Sequence, residues 1–415
     1  MLLKNDKKIV IGYDLANTCS QISYCYKNEE KDVETVGFVE GEENYDIPTV
    51  LCKKAGTNQW LFGHGALKFS EQYPEESILV DNLVQLALEG EILQIDGKGY
   101  HPAALLALFV KRSLGTVLKG SSVDKIAAIS FTCQETGRRM SGLIQRIVKT
   151  LELKNAEIFC QTYEESFFAY LTHQPAELWQ RGALLLDYRG QDMISVQIDG
   201  NRNTIPKIMY SLQKIHSFDG TDKGLLEIAR NCCEDNQFGA VYLIGEKFGG
   251  SWMEESLKYL CMGRRVFQGN NLYSKGACYG ALRKQGENPG EDEYLFLGPD
   301  RLKANIGMKV QKRGELVYNA LLDAGMYWEL LEEIFEFYLK GENYLELSIT
   351  SLTKEAPKQI LMELDGLELA VGEVTRIRMK LTMLSEKVLA VTVTDLGFGE
   401  FREACDKKWV KEVEL

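Results

Sequence analysis

The sequence predicts a two-lobed α/β region followed by an all-β sandwich. Three observations lead to this fold class. A pattern of apolar strand, acidic residue, polar turn and second strand occurs at residues 9–26 and recurs at 182–198. A polar stretch containing glycine, proline and acids follows at 285–293. Beyond it, the segments RIRMKLTML and VLAVTVT alternate strictly between apolar and polar residues, which is typical of antiparallel strands with one buried face.

The composition is that of a globular protein with reduced cysteines. The chain has 415 residues, 45% hydrophobic and 26% charged, enough for two or three domains. Its ten cysteines are scattered and its four histidines lie near no cysteine pair, so we expect neither a disulfide framework nor a structural metal. The net charge of −12 argues against nucleic acid or an anionic membrane as the main partner.

The start of the chain favours a cytoplasmic location. Charged residues (Lys4, Asp6, Lys7 and Lys8) interrupt it before the apolar core of a signal peptide could form. No window approaches the apolar length that crosses a bilayer, so we expect no membrane insertion.

The first lobe alternates predicted strands and helices. The hairpin at 9–26 precedes strand candidates at 32–41 and 47–54, and then a glycine-rich turn at 61–67. Apolar spacing predicts helices at 102–118, 134–151 and 164–173, with strands at 126–131 and 156–160.

The second lobe repeats the opening pattern. Asp14 and Asp187 occupy the same place in the two units, each at the end of an apolar strand. A helix at 223–236, a strand at 240–245, a helix at 251–260 and a small-residue helix at 274–282 follow. Repeated α/β units of this kind predict two similar lobes with a cleft between them.

The last part of the chain reads as short strands, at 344–349, 360–364, 375–384 and 388–394. One segment is ambiguous: residues 326–339 also fit helical spacing, and propensity alone favours a helix there.

The turn after Asp14 is the first candidate site. Small or hydroxylated residues (Ala16, Asn17, Thr18 and Ser20) follow the acid, and such a turn directs backbone N–H groups and hydroxyls at an anion such as phosphate. Taken alone, an ordinary hairpin with a solvated aspartate is the commoner explanation.

The order of these features resembles the seventy-kilodalton heat-shock chaperones (the DnaK type) of the actin-like ATPase superfamily, in degenerate and shortened form. GYDLANTCS at 12–20 resembles the opening motif GIDLGTTxS, and DYRGQD at 187–192 resembles the second phosphate loop DLGGGT. LIGE at 243–246 resembles the adenosine loop LVGG, and KGACYGAL at 275–282 resembles the closing helix EAVAYGAA.

The resemblance continues to the end of the chain. Residues 292–297 resemble the acid-then-apolar interdomain linker, and 364–395 resemble the last strands of the chaperone sandwich. Residues 332–349 resemble the peptide-cradling strand pair, so the ambiguous segment is predicted to be mainly strand. The implied domains are a nucleotide-binding-like domain at 1–286 (lobes about 1–181 and 182–286), a linker at 287–298 and a β-sandwich at 299–415.

The resemblance also implies chemistry, because the family hydrolyses ATP by positioning charges around its phosphates. It makes Asp14 and Asp187 the acids that hold Mg²⁺ and orient water. The residues implied to contact ATP or ADP are Asn17, Thr18, Arg189, Gly190 and Gly245.

Several departures argue against this chemistry. Ala16 and Asn17 replace Gly-Thr in the first loop, and Arg189 and Gln191 replace glycines in the second, where the backbone must approach phosphate. Arg189 either binds phosphate itself or pairs with Asp187 and fills the site. We favour pairing, since buried carboxylates are usually paired.

Two further catalytic groups are missing, and so is a subdomain. The stretch that should hold the family's lysine has none between Lys68 and Lys98, and its glutamate aligns with Thr162. Glu164 and Glu165 lie nearby, but acids are common in the first turn of a helix. The helix at 223–236 stands where the family has a whole subdomain, so most of one second-lobe subdomain is predicted to be lacking.

The sandwich is the candidate partner site. By the resemblance, Phe335, Leu345 and Leu347 line a peptide pocket, and Tyr338 stands where a small residue arches over the peptide. The alternative is that all four belong to the sandwich core.

These observations favour a degenerate chaperone-like protein that binds a peptide or protein partner through its sandwich, with nucleotide weak, regulatory or absent. One alternative is a slow Mg-dependent ATPase coupled through 294–297 to peptide release. Another is an actin-like structural or cell-division scaffold.

Overall fold

The computed structural model describes residues 8–27, 32–37, 44–134, 136–201, 204–234, 236–286, 294–353, 356–370, 372–405 and 407–415. The chain divides into two compact units. The first contains Met1–Asp199 and Ser211–Asp292, and the second contains Gly200–Tyr210 and Glu293–Leu415. No feature of the sequence indicated that the short segment Gly200–Tyr210 belongs with the second unit.

The first half of the first unit alternates strands and helices, as its sequence predicts. Its elements are β1 (Ile9–Asp14), β2 (Cys19–Tyr26), β3 (Glu34–Thr35), β4 (Ile47–Pro48), β5 (Leu51–Lys54), β6 (Trp60–Phe62), α1 (Gly63–Gln72), β7 (Ser77–Val80), α2 (Leu83–Glu89), β8 (Leu93–Ile95), β9 (Lys98–Tyr100), α3 (Pro102–Leu118), β10 (Ile126–Cys133), α4 (Arg138–Thr150), β11 (Glu157–Thr162) and α5 (Tyr163–Thr172).

The glycine-rich turn predicted at 61–67 is wrong. Residues 60–62 form strand β6, and helix α1 begins directly after it, at Gly63. Two glycines in five residues suggested a turn, since glycine is a poor helix former. Ala66, however, is fully buried beside β5 and anchors this helix to the unit.

The second half contains β12 (Ala183–Asp187), β13 (Met193–Asn201), β14 (Lys207–His216), α6 (Asp222–Cys233), β15 (Ala240–Ile244), α7 (Glu254–Leu260), β16 (Arg265–Gln268) and α8 (Leu272–Lys284). A single helix, α6, joins β14 to β15, as the sequence predicts. Helices α4 and α7 begin three to four residues later than predicted.

The two halves of this unit repeat one sheet topology. Strand β1 pairs antiparallel with β2 and parallel with β10, which pairs parallel with β11. Strand β12 likewise pairs antiparallel with β13 and parallel with β15, which pairs parallel with β16. The internal repeat predicted from 9–26 and 182–198 is therefore present in the strand pairing, and both halves are mixed α/β sheets.

Helix α8 packs closely against its neighbours because its small residues allow close backbone contact. A Cβ on Gly12 of β1 would lie 2.1 Å from the Ser274 carbonyl oxygen, and one on Gly276 would lie 1.9 Å from that of Ser166 in α5. No side chain fits at either position. The predicted small-residue helix therefore packs directly against β1 and α5.

The second unit is antiparallel and all-β from residue 304 onward. After β17 (Tyr294–Leu297) come β18 (Ala304–Lys312), β19 (Glu315–Leu322), β20 (Glu332–Lys340), β21 (Tyr344–Ser351), β22 (Lys358–Glu363), β23 (Val374–Ser385), β24 (Val388–Asp395) and β25 (Lys408–Glu414). They form sheets of order β19-β18-β21-β22 and β20-β23-β24-β25, whose inner faces share one core.

Within the ambiguous segment at 326–339, residues 332–339 belong to strand β20. In β20, Phe337 and Leu339 pack on the shared core at a spacing of two, and this packing overrides helical propensity. Of the predicted linker, 287–293 lies outside the described residues. Tyr294–Leu297 is strand β17, which pairs parallel with Lys207–Tyr210 of β14.

Across the part of the chain that the structure describes, no helix combines the length and apolar character that a membrane span requires.

Candidate functional site

Two acids mark the candidate site, each the last residue of the first strand in its half of the repeat. Asp14 ends β1 and Asp187 ends β12. Both are buried, with 2% and 4% of their surfaces exposed. Burial of a carboxylate is costly unless a partner neutralises it, so each acid needs a donor.

Arg189 is that donor for both acids. Its Nε lies 3.1 Å from both oxygens of Asp187, and its Nη2 lies 3.0 Å from Asp187 Oδ2. Its Nη1 donates to Asp14 Oδ2 at 3.1 Å. The side chain is 31% exposed, so the guanidinium closes the pair of acids from the solvent side. Pairing with Asp187 is the arrangement that the sequence favoured, and the bond to Asp14 was not predicted.

Two tyrosines complete the cluster, and each binds one acid. Tyr163, at the start of α5, donates its hydroxyl to Asp14 Oδ1 at 2.9 Å. Tyr273, in the first turn of α8, donates to Asp187 Oδ2 at 3.1 Å. Their rings stack with centroids 4.2 Å apart. The Arg189 guanidinium carbon lies 4.6 Å from the first ring and 4.5 Å from the second, within the range of a cation–π contact.

The charges in this cluster influence each other strongly. Burial raises the pKa of Asp14 to about 6, although the Arg189 charge and the Tyr163 hydrogen bond act in the opposite direction. Burial acts to lower the pKa of Arg189, but the carboxylate of Asp187, with Asp14 nearby, outweighs it and raises that pKa well above its ordinary value. Arg189 therefore remains a cation at any ordinary pH.

The donor set does not suit a resident magnesium nucleotide. A divalent cation that bridges Asp14 and Asp187 would need a carboxylate oxygen from each acid. Arg189 already binds Oδ2 of both. Among the described residues, no group of three or more His, Cys, Asp or Glu side chains is arranged to hold a metal ion. The guanidinium stands where a bridging cation would bind, and its single positive charge offsets one of the two negative charges of the acids.

The first loop is also occupied by contacts within the chain. Asn17 Oδ1 accepts a hydrogen bond from the backbone N–H of Gln85 in the first turn of α2, at 3.0 Å. The carbonyl of Thr18 accepts from Thr49 N at 2.8 Å. The Asn17 side chain therefore satisfies a helix end, which is a structural role.

The second loop packs tightly against the loop that follows β15. Gly245 has φ +119°, and a Cβ there would lie 2.6 Å from the Tyr188 carbonyl oxygen. Lys247 donates its Nζ to the Gly190 carbonyl. These contacts require glycine at 245 and leave little space between the two loops.

An aromatic cluster that the sequence reasoning missed lies beside this loop. The rings of Tyr188 and Phe218 are 4.7 Å apart, and Phe248 and Trp252 stack at 6.4 Å. Tyr188 also contacts Phe248 at 5.9 Å. Tyr188, Phe218 and the pair Phe248 and Trp252 come from three separate parts of the sequence, and only the fold brings them together.

The acids near Thr162 have structural partners. Thr162 accepts a hydrogen bond from Glu165 N at 3.1 Å and so caps α5. Glu164 and Glu165 lie in the first turn of this helix, and Glu165 forms an ion pair with Lys284 at 2.9 Å. The buried Lys53, which the sequence reasoning did not single out, pairs with Asp96.

The predicted peptide-binding residues divide between core and surface. Leu345 and Leu347 are almost fully buried in the shared core of the sandwich, and Phe335 is partly buried against it. Tyr338 is 63% exposed, and its ring lies 5.7 Å from Phe398. Phe398 in turn lies 6.0 Å from Phe401, which is 90% exposed. A role of any of these residues in peptide binding stays a prediction.

The fold and site thus define an α/β region with repeated mixed sheets and an acid pair bridged by one arginine, followed by an antiparallel all-β region. The chain belongs to the family of unknown function DUF5716, whose C-terminal model matches residues 32–299. A domain of unknown function, DUF8552, matches residues 301–415. Neither match is to the seventy-kilodalton heat-shock chaperones, and no curated protein matches the chain.

Proposed function

We propose that this protein is a degenerate chaperone-like binding protein, in which the β-sandwich holds a peptide or protein partner and the α/β region no longer turns over ATP. The repeated sheets, each ending its first strand in an acid, support descent from a two-lobed actin-like ATPase. Two antiparallel four-stranded sheets with one core support the likeness of the second unit to the chaperone sandwich.

The observation that carries this proposal is the bridge from Arg189 to Asp14 and Asp187. A magnesium nucleotide at these acids must first displace the guanidinium. The displaced side chain gives up its hydrogen bonds to both acids, and this loss reduces the affinity for the nucleotide. Nucleotide binding is therefore weak or absent.

The neighbouring loops support the same conclusion. The Asn17 side chain is engaged with α2, and Gly190 and Gly245 lie in loops that contact each other through Lys247 and Tyr188. In a working phosphate site the backbone N–H groups of these loops would face the ligand.

The exposed aromatics of the sandwich support partner binding. Tyr338, Phe398 and Phe401 form a continuous contact chain, and all three are exposed. Large aromatic side chains are frequent energetic centres of protein interfaces. We place the partner contact at this surface, because Leu345 and Leu347 are occupied in the core.

Calorimetric titration with Mg-ATP and with Mg-ADP tests the proposal. We expect no saturable heat up to millimolar nucleotide. Micromolar binding that Asp14→Ala abolishes would overturn it. The matched control is Asp81→Ala, which removes an exposed acid outside the cluster and must leave the result unchanged.

A slow Mg-dependent ATPase is the second candidate, and one observation favours it. Arg189 is 31% exposed rather than fully buried, and both acids are retained. ATP turnover by purified protein that Asp187→Asn abolishes would establish this function in place of the first.

A further inference from the structure

A groove on the first unit has a lining that ends at Cys160, three residues before Tyr163 of the acid cluster. It has a volume of about 500 Å³ and runs between helix α4 and strand β11. Its apolar lining comes from α4, from the turn that follows it and from β11: Ile144, Val148, Leu153, Ile158, Phe159 and Cys160. Its charged lining residues are Lys149, Glu152 and Lys154.

Strand β11 is the edge of its sheet. Within the described residues, it pairs with β10 on one side and ends the strand order on the other. An edge strand presents a row of backbone N–H and C=O groups that can pair with another extended chain. The groove places an apolar wall of α4 beside that row. Backbone pairing and alternate apolar contacts are together what strand addition requires.

The charge around the groove indicates which kind of segment binds there. The lining of the groove contains two basic residues, Lys149 and Lys154, and one acid, Glu152, whereas the whole chain has 48 basic and 60 acidic residues. Lys149 and Lys154 are exposed, and neither forms an ion pair within the described part of the chain. A local excess of positive charge on an acidic protein attracts negative partners and repels basic ones.

We propose that this groove binds an extended, acidic–apolar segment of a partner protein, which adds as a strand to the free edge of β11. Its apolar side chains would pack against Val148 of α4 and Ile158 of β11, which are only partly buried. Its carboxylates would approach Lys149 and Lys154. The groove's lining residues are distinct from those of the sandwich surface and of the acid cluster.

Fluorescence anisotropy with a labelled synthetic peptide tests this assignment. The probe is a capped peptide of β11's length that alternates acidic with branched aliphatic residues. We expect saturable binding to the 415-residue chain. Lys149→Glu with Lys154→Glu should weaken it at least about tenfold, which corresponds to about 1.4 kcal/mol. The matched control, Lys111→Glu with Arg112→Glu, makes the same charge change on exposed positions of α3 and should leave binding unchanged.

A second probe separates strand addition from simple charge attraction. The same peptide with proline at its centre keeps its charge but loses a backbone donor and strand geometry. We expect it to bind at least tenfold more weakly, and we expect the first peptide to slow amide exchange in residues 157–161. No saturable binding at millimolar peptide, equal weakening by both double variants, or equal binding of the proline peptide would each overturn the proposal. Unchanged thermal unfolding of the variants confirms that they fold.

Discussion

Arg189 acts as an internal counter-cation, and its removal has a definite cost. Arg189→Ala leaves Asp14 and Asp187 buried without their shared donor. We expect a loss of about 3–5 kcal/mol in unfolding free energy near neutral pH, as for other broken buried pairs. Urea denaturation measures it.

Two control variants make this result specific. Arg189→Lys keeps the charge but not the planar fork, so an intermediate loss is expected. Arg181→Ala removes an exposed arginine and should change stability by less than about 0.5 kcal/mol. If Arg189→Ala is as stable as the unmodified protein, the bridge does not stabilise the cluster.

Asp14 should make stability depend on pH. Its pKa is about 6 in the folded protein, against an ordinary value of 3.8. Between these values the folded state holds a proton that the unfolded chain has released, so this group's contribution to stability falls as pH rises from about 4 to 6. The upper limit is about 3 kcal/mol.

Urea denaturation across this pH range, with the protein and with Asp14→Asn, isolates the effect. The variant should lose less stability between pH 4 and 6, because its amide does not titrate. Identical pH profiles for the two proteins would show that Asp14 titrates normally.

At the scale of elements, the contact of α8 with α5 depends on Gly276. Gly276→Ala places a methyl group against the backbone of Ser166, and such overpacking costs about 1–3 kcal/mol or more. Chemical denaturation measures the loss. Gly115→Ala in α3 is the matched control: nothing lies near its Cβ position, so it should stabilise the protein by about 0.5–1 kcal/mol. Equal stability of the two variants would contradict the close packing.

The two faces of the sandwich should respond differently to truncation. Leu347→Ala opens a cavity in the core, where the side chain is 1% exposed, and should cost about 2–5 kcal/mol. Tyr338→Ala should change thermal stability little and weaken partner binding instead. If Tyr338→Ala leaves partner binding unchanged, the partner contacts another part of the sandwich.

Elements with a clear period were predictable, and those without one were not. The helix at 102–118 matches α3 at both ends, and the alternating segments are strands β23 and β24. Helix α1 was missed because its glycines suggested a turn. The pairing of β17 with the first part of β14 joins segments far apart in sequence, so no local pattern could indicate it.

For the whole molecule, the internal repeat allowed half of the site to be predicted from the sequence. Asp14 and Asp187 stood out because they occupy matching positions, and Arg189 because it interrupts a glycine loop. Tyr163 and Tyr273 carry no such signal. Each lies in the first turn of an ordinary helix, and only the close approach of α5 and α8 brings both to the acids.

The guanidinium of Arg189 occupies the cation position between Asp14 and Asp187. Titration with Mn²⁺, followed by electron paramagnetic resonance, tests it most directly, since bound and free Mn²⁺ give different signals. We predict no stoichiometric binding to the unmodified protein and one bound ion in Arg189→Gly, if that variant folds. One Mn²⁺ bound to the unmodified protein, and lost in Asp14→Ala or Asp187→Asn, would contradict the account.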